Sequence, residues 1–389
     1  MREMKDSGVE WIGEIPKNWK ICRLKDYAHI CNGRDYSEVL AENGDYPVIG
    51  SGGQFAKACE PLYQKESVLL GRKGTIDKPL FVDYPFWTVD TMYYTEIKEN
   101  VSAKYFYYLC TQIEFDFYQY GSAVPSMTQR DLYNVNFPYP TLDEQRRIAN
   151  YLDRKCSQID TIIAQQQEVI EKLKAYKLSV ITEAVTKGLN PDVPMKDSGV
   201  EWIGEIPEHW KMVRLKFLLS HIIDCPHETP IYSADGDYLV IRTADQDLGK
   251  LRTDEDMYRL DEGEYQNRIR RMPLEKDDIV YGREGERWGL ACLVPESNKY
   301  CLGQRMLQFR CKRELFLPRF AMWALNSKFV YLQGAVDTIG STSPHVNIST
   351  VRNFLIPVLP ISEQQEIAEY IDKKMSQLDK EIEHRENLI

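Results

Sequence analysis

The sequence predicts a mixed α/β chain: two globular domains with mostly antiparallel sheets, separated by two long helices that form an antiparallel coiled coil, with the halves related as a pseudo-two-fold repeat. Three observations predict it. One motif, MKDSGVEWIGEIP, occurs twice, as Met4–Pro16 and Met195–Pro207. Each copy leads, through a dissimilar stretch, to a Pro-punctuated stop and a heptad-patterned helix. Within the dissimilar stretches, short apolar runs alternate with Gly-rich turns, the pattern of short strands.

The repeat sets the domain plan. After the shared motif, Trp19-Lys20 and Arg23-Leu24-Lys25 recur as Trp210-Lys211 and Arg214-Leu215-Lys216. A later block, Glu144-Gln145, Ile148-Ala149, Tyr151 and Asp153, recurs as Glu363-Gln364, Ile367-Ala368, Tyr370 and Asp372. The frames nearly coincide while their contents differ, and the second copy is longer. A solenoid would repeat many times at a short period. Two copies suit two separate modules, with expected bounds of 1–141 and 191–360 for the globular domains, 142–190 for the first spacer helix and 361–389 for the second.

The helices follow from punctuation and period. Pro138-Tyr-Pro140 and Pro357-Val-Leu-Pro360 stop the preceding strands, and Thr141 or Asp143 can cap the first helix. From Glu144 to Lys187 there is neither Pro nor Gly, until Gly188. Apolar positions step by four and three through Leu152, Cys156, Ile159 and Ile163, then Gln166, Ile170 and Leu173; the second copy keeps the register with Ile371, Met375, Leu378 and Ile382. The seam alone fits a parallel or an antiparallel pair. A single amphipathic helix lying on its own domain is the alternative, but the narrow seam and a span of roughly 65 Å favour a helix pair. Gln166 and Arg385 occupy matching seam positions, where polar residues fix register at some cost in stability. Ile389 corresponds to Ile170, so the second spacer is expected to be shorter than the first by about two turns or more.

Composition excludes several classes. The chain has 389 residues, 43% hydrophobic and 28% charged, with no apolar run long enough for a membrane span and no signal peptide. Its nine cysteines include no Cys-x-x-Cys pair, which reads as reduced thiols in a cytoplasm. Net charge is −10, yet residues 211–357 hold 21 basic against 20 acidic side chains and residues 20–140 hold 12 against 15. Any grip on nucleic acid must therefore come from local patches or from partners sharing the phosphate contacts. Signals for catalysis are weak. Asn136-Phe-Pro-Tyr139 lacks the first Pro of an adenine-methyltransferase box, no phosphate loop occurs, and His221, Cys225 and His227 lack further ligands for zinc. The six histidines form no evident Ser/His/Asp grouping, so no catalytic residue and no metal site is assigned.

Inside the variable stretches, Tyr46–Gly53 reads as a strand entering a Gly-rich loop, Ser67–Leu70 as a strand before the turn Gly71-Arg-Lys-Gly74, Thr88–Glu96 as a strand and Ala103–Cys110 as the start of a helix. The second copy echoes them with Tyr238–Ile241, Asp278–Tyr281 before Gly282-Arg-Glu-Gly285, and a helix near Pro318–Tyr331. Both close with Gly-Ser-x-x-Pro, at Gly121–Pro125 and Gly340–Pro344. Arg72, Lys73, Arg283 and Arg287 on or beside the turns are candidates for base or phosphate contact, the alternative being solvated turn charges. Ser51 and Gly52 in the Gly-rich loop, Arg268, Arg270 and Arg271 in a run of positive charge, and Ser122 and Ser341 are further candidates for DNA contact.

The doubled order of variable region, Gly-Arg-x-Gly turn, Gly-Ser-x-x-Pro loop, Pro-rich stop and Glu-Gln-x-x-Ile helix resembles the specificity subunits of Type I restriction-modification systems, across essentially the whole chain. The resemblance implies two target-recognition domains, each reading half of a bipartite, gapped site in double-stranded DNA, with the helices as rulers. It implies docking of two modification (adenine methyltransferase) subunits and assembly with restriction subunits that translocate on ATP. S-adenosylmethionine, ATP and magnesium are then expected in those partners and not on this chain. The short second helix departs from the family pattern at the place where a second modification subunit would dock. A self-contained methyltransferase or nuclease of the combined type is the alternative.

Overall fold

The computed structural model describes residues 2–117, 125–252, 254–338 and 344–389. It divides into two compact units, Met1–Ile162 and Ile163–Ile389. In the first unit, strands β1 (Ala28–Asn32), β2 (Ser67–Gly71), β3 (Leu80–Val82) and β4 (Met92–Ile97) form an antiparallel sheet in the order β1-β4-β2-β3. In the second, β5 (Leu219–Asp224), β6 (Ile279–Gly282), β7 (Ala291–Leu293) and β8 (Met306–Cys311) repeat it as β5-β8-β6-β7. β2 and β6 are buried along their whole length, which explains why Val68-Leu-Leu70 and Ile279-Val-Tyr281 read as continuous apolar runs. Each unit adds a three-stranded sheet in which the central strand, Tyr46–Gly50 or Tyr238–Ile241, has one antiparallel and one parallel neighbour.

The repeated motif is a small hairpin: Met4–Asp6 pairs with Glu14–Pro16, and Met195–Asp197 with Glu205–Pro207. Its Asp-Ser-Gly corner is built alike twice, with Gly8 N–H donating to Asp6 Oδ1 at 2.9 Å and Gly199 N–H to Asp197 Oδ1 at 2.9 Å. A two-stranded frame closes each variable region. Lys20–Arg23 pairs with Asn136–Tyr139, and Lys211–Arg214 with Leu355–Val358, both antiparallel. The first core lies between sheet and helix around Leu24, Tyr27, Phe106 and Phe137; Tyr27 and Phe106 stack at 5.7 Å.

Helix α1 spans Leu142–Lys187 and α2 spans Ile361–Glu386. Thr141 caps α1: Glu144 N–H donates to Thr141 Oγ1 at 3.4 Å and Thr141 N–H to Glu144 Oε2 at 3.3 Å, a capping box. Gly188, at φ 74°, ends it in the left-handed conformation a side chain resists. Within the second unit the helices run antiparallel. Gly188 lies against Trp210 and Glu363 near the start of α2, Lys177 Nζ meets Asp379 Oδ1 at 2.5 Å, and Arg385 Nη1 donates to Gln166 Oε1 at 2.7 Å near its end. The two polar seam residues singled out by the repeat therefore bond to each other. Ile371, Met375 and Ile382 are buried, with Leu378, Ile163 and Leu173 half-buried and Ile170 buried. The seam is uneven: Leu152 is half-buried, and Cys156 and Ile159 are exposed.

Two sequence expectations are corrected. The strand expected at Thr88–Glu96 is two strands, because Trp87–Thr88 joins the smaller sheet and Met92–Ile97 the larger. The helix expected near Pro318–Tyr331 is two helices, Pro318–Leu325 and Lys328–Thr338, broken where Asn326 turns its amide onto Ala291 and Met322.

Candidate nucleic-acid interface

Each unit builds one exposed corner in the same way. In the first, β2 ends at Gly71, where a Cβ would lie 2.4 Å from Thr75 O. The chain then turns through Arg72 and Lys73 to Gly74, at φ 83°. Residues just after the Gly-Ser-x-x-Pro loop clasp the turn: Gly74 N–H donates to Pro125 O at 3.0 Å and Met127 N–H to Arg72 O at 3.1 Å, with Lys73 bridged to Ser126. The second unit repeats this. Gly285, at φ 87°, donates from N–H to Pro344 O at 2.9 Å, Val346 N–H donates to Arg283 O at 2.9 Å, and Glu284 bridges His345. Two motifs distant in sequence thus form one structural element in each unit.

The Gly-rich loop of the first unit joins the same corner. Ser51 N–H donates to Thr91 Oγ1 at 3.4 Å, Arg72 N–H donates to Thr91 O at 2.9 Å, and Ser51 Oγ lies 3.0 Å from where a Gly74 Cβ would stand. Gly52 has open space around it. The Arg72 guanidinium lies over the Tyr93 ring at 5.8 Å, and exposed Lys73 is 3.6 Å from Asp90. Arg72 also donates from Nη1 to Asp90 O at 3.4 Å, and the ion pair of exposed Lys73 is of the kind that water and phosphate can replace.

The second corner departs from expectation. Arg283 is buried, its side chain 5% exposed, with Nη2 3.1 Å from Glu284 Oε1 and Nε 3.5 Å from Asp224 Oδ1. Its charge is spent inside, so it cannot reach a groove. Arg268 is corrected on the same ground: it is 4% exposed and donates to the carbonyls of Leu302, Glu228 and Pro226. It shares the inward face of the helix Glu262–Arg268 with buried Tyr265, three residues earlier. Arg270 is exposed beside Asn267, and Arg271 lies at the surface, donating to Asp224 O at 2.8 Å. Arg287 stays 44% exposed, 3.8 Å from Asp247.

Sequence reasoning missed Arg305. Its side chain is 55% exposed, 3.8 Å from Glu284, and its backbone carbonyl accepts from Arg283 N–H at 3.0 Å. It stands at φ 70°, rare for a residue with a side chain, and only its place after Gly303-Gln304 hinted at a turn. Two histidines also face this corner: His345 Nδ1 is 3.2 Å from Glu284 Oε1, and His227 Nε2 is 2.8 Å from Asp224 Oδ2. Ser122 and Ser341 lie outside the described residues.

The Glu-Gln signature that opens each long helix proves architectural. Gln145 is fully buried, accepting from Ser102 N–H at 2.9 Å and donating to Pro140 O at 3.1 Å. Gln364 does the same with Leu317 N–H at 2.9 Å and Leu359 O at 2.9 Å. One amide per unit thereby locks helix to domain. Among the described residues no group of His, Cys, Asp and Glu could hold a metal ion, and no helix is long and apolar enough to cross a membrane.

A doubled mixed-sheet fold with a Gly-framed cationic corner in each half, rooted on paired helices, defines a bipartite recognition scaffold. The chain belongs to the Type I restriction modification DNA specificity domain family, whose model matches residues 16–172 and 207–388. It is similar to the Type I restriction enzyme MjaVIII specificity subunit of Methanocaldococcus jannaschii, 23% identical over 91% of this chain and 85% of that one. It is also similar to the EcoBI specificity subunit of Escherichia coli, 22% identical over 97% and 84%. Among solved structures, a chain from a study of complex assembly and conformational transition in the type I R-M system covers 96% of this chain and 94% of its own, with TM-score 0.69 and 15% identity. The HsdS subunit from Thermoanaerobacter tengcongensis covers 94% and 91%, with TM-score 0.52 and 15% identity. These two share the fold.

Proposed function

We propose that each unit reads one half of a bipartite, gapped site in double-stranded DNA, and that the chain directs partner methyltransferase and restriction subunits to that site. The observation that carries this is the corner built twice: one backbone frame, two sets of side chains. In the first unit the frame presents Arg72 and Lys73; in the second it presents Glu284, Arg305 and, beside it, Arg287. An identical frame with unlike polar tips suits two half-sites of different sequence. Arg72, Lys73, Ser51, Gly52, Arg270, Arg271, Arg287 and Arg305 are the proposed contacts, divided between phosphate and base edges. Partner subunits supply S-adenosylmethionine, ATP and magnesium, and the assembly works in the cytoplasm.

Exchanging residues 20–140 for the matching region of another family member, then mapping methylated adenines across a host genome, tests the reading. One half of the recognised sequence should change while the other half is kept. A map in which both halves change, or neither does, would refute it.

A further inference from the structure

The two corners share a backbone and differ most at one position of the turn. Neighbouring side chains on a bridged segment take opposite faces. Arg72 and Arg283 take the inner one: Arg72 lies over the buried Tyr93 ring, and the Arg283 side chain is 5% exposed. Lys73 and Glu284 take the outer one, with side chains 49% and 23% exposed. Each stands across an antiparallel bridge from a polar partner, Lys73 from Ser126 and Glu284 from His345. Bridged residues show their side chains on one face, about 5 Å apart. The same frame therefore presents a cross-bridge pair in each unit, led by a cation in the first and by a carboxylate in the second.

Glu284 is more than a counter-ion, since Asp224 already stands 3.5 Å from Arg283 Nε. One of its oxygens is committed: Oε1 lies 3.1 Å from Arg283 Nη2 and 3.2 Å from His345 Nδ1. The imidazole is oriented in turn by Arg283, whose Nη1 is 3.5 Å from His345 Nε2. A guanidinium only donates, so Nε2 accepts and the ring proton stands on Nδ1, toward Glu284. Among the described residues, Oε2 meets Arg305 Nε at 3.8 Å, longer than a hydrogen bond. The carboxylate is thus fixed through one oxygen and offers the other. Arg283 and Arg305 offset the repulsion it would feel from phosphate.

We propose that Lys73 and Glu284 are the specificity-determining residues of their units, and that they read opposite edges of a G·C pair in the major groove. This rests on the reading that each unit takes one half-site. Lys73 donates to guanine O6 and N7, and Glu284 Oε2 accepts from the cytosine N4 amino group. Guanine shows only acceptors in that groove, and thymine an acceptor and a methyl, so neither suits a carboxylate. Adenine has a donor at N6, but its N7 acceptor lies beside it and repels the second lone pair.

The test uses the full chain assembled with its methyltransferase partners, on a duplex carrying its mapped site. The half kept when residues 20–140 are exchanged belongs to the second unit. Cytosines in that half are replaced one at a time by N4-methylcytosine, which keeps the base pair and removes the donor from the groove. One replacement should weaken binding by the parent about tenfold, the cost of a lost base contact. It should not weaken Glu284→Ala further. In the other half, 7-deazaguanine, which lacks the N7 acceptor, should weaken the parent and leave Lys73→Ala unaffected. Glu284→Gln should admit adenine in place of that cytosine in the methylated genomic site, since an amide pairs with adenine N6 and N7. The parent arms need no variant, so a variant that fails to fold does not blur them. A second half without cytosine, parent binding indifferent to every N4-methylcytosine, a penalty that persists in Glu284→Ala, or a site unchanged by Glu284→Gln overturns the assignment of Glu284. Indifference to 7-deazaguanine, or a penalty that persists in Lys73→Ala, overturns that of Lys73. These results leave the half-site reading standing; it fails separately, if exchange of residues 20–140 alters both halves or neither.

Discussion

Ile159 and Ile371 occupy the same kind of position in the same heptad pattern, yet the structure assigns them opposite consequences on truncation. Ile371 is fully buried, held between α2, the end of α1 and the second core. Ile371→Ala removes three carbons from a site whose walls are helices fixed at both ends, so little of the cavity can collapse. Ile-to-Ala changes in such cores cost ~2–5 kcal/mol, and a rigid site belongs in the upper half, about 3–5 kcal/mol. Ile159 is 54% exposed, and its truncation should stay within about 0.5 kcal/mol. The assay is guanidinium unfolding of the isolated chain, followed by far-UV circular dichroism, with midpoints compared at a common slope. Equal losses for the two variants would show that the seam is covered along its whole length in solution, and would refute this contrast. A loss below about 1 kcal/mol for Ile371→Ala would refute the packing of α1 on α2.

Three further outcomes follow from the corners and the helix pair. Arg283→Ala removes a buried guanidinium from between Asp224 and Glu284, which keep His227, His345 and Arg305 as neighbours, and should cost ~1–3 kcal/mol in thermal or denaturant melts; Arg72→Ala and Arg305→Ala should melt within about 0.5 kcal/mol of the parent while lowering DNA affinity in the assembled complex and reducing its salt slope by ~0.9 for each phosphate that is no longer neutralised. Gly74→Ala and Gly285→Ala, at φ 83° and 87°, should each lose ~1–2 kcal/mol to left-handed strain, read as a fall in melting temperature. Burial of Asp379 opposes its charge, but Lys177 and Lys250 outweigh that and hold its carboxyl below the usual range. A depressed folded-state pKa gives stability that is present above the ordinary aspartate value and lost as pH falls through it toward the folded value. Acidifying below about pH 4 should therefore destabilise the parent more than Asp379→Asn, measured as the difference in midpoint between the two proteins across pH.

The frame was legible because its signals are local and doubled. Thr141 and Glu144 announce a cap, Gly188 an end, and the four-three stepping a seam whose Gln166 and Arg385 prove to be partners. Turn and loop motifs were each visible, but nothing in their spacing says that Gly74 bonds Pro125 or that Gly285 bonds Pro344, since those bonds arise from sheet topology. Charge was the poorest guide. Arg268 and Arg270 stand two residues apart in one basic run, yet helical geometry turns the first inward onto carbonyls and leaves the second in water. Gln145 and Gln364 stood out only as members of a repeated signature; their burial depends on a segment more than thirty residues upstream, beyond any local pattern.

The paired frame strands carry an evolutionary consequence. Arg23 and Asn136 are direct cross-strand neighbours, as are Arg214 and Leu355, so each recognition region leaves and re-enters the scaffold at a single doorway about 5 Å wide. A cassette whose ends meet that doorway can be exchanged by recombination without disturbing the rods beneath it. New targets can then arise by trading whole inserts, with no stepwise repair of the chassis.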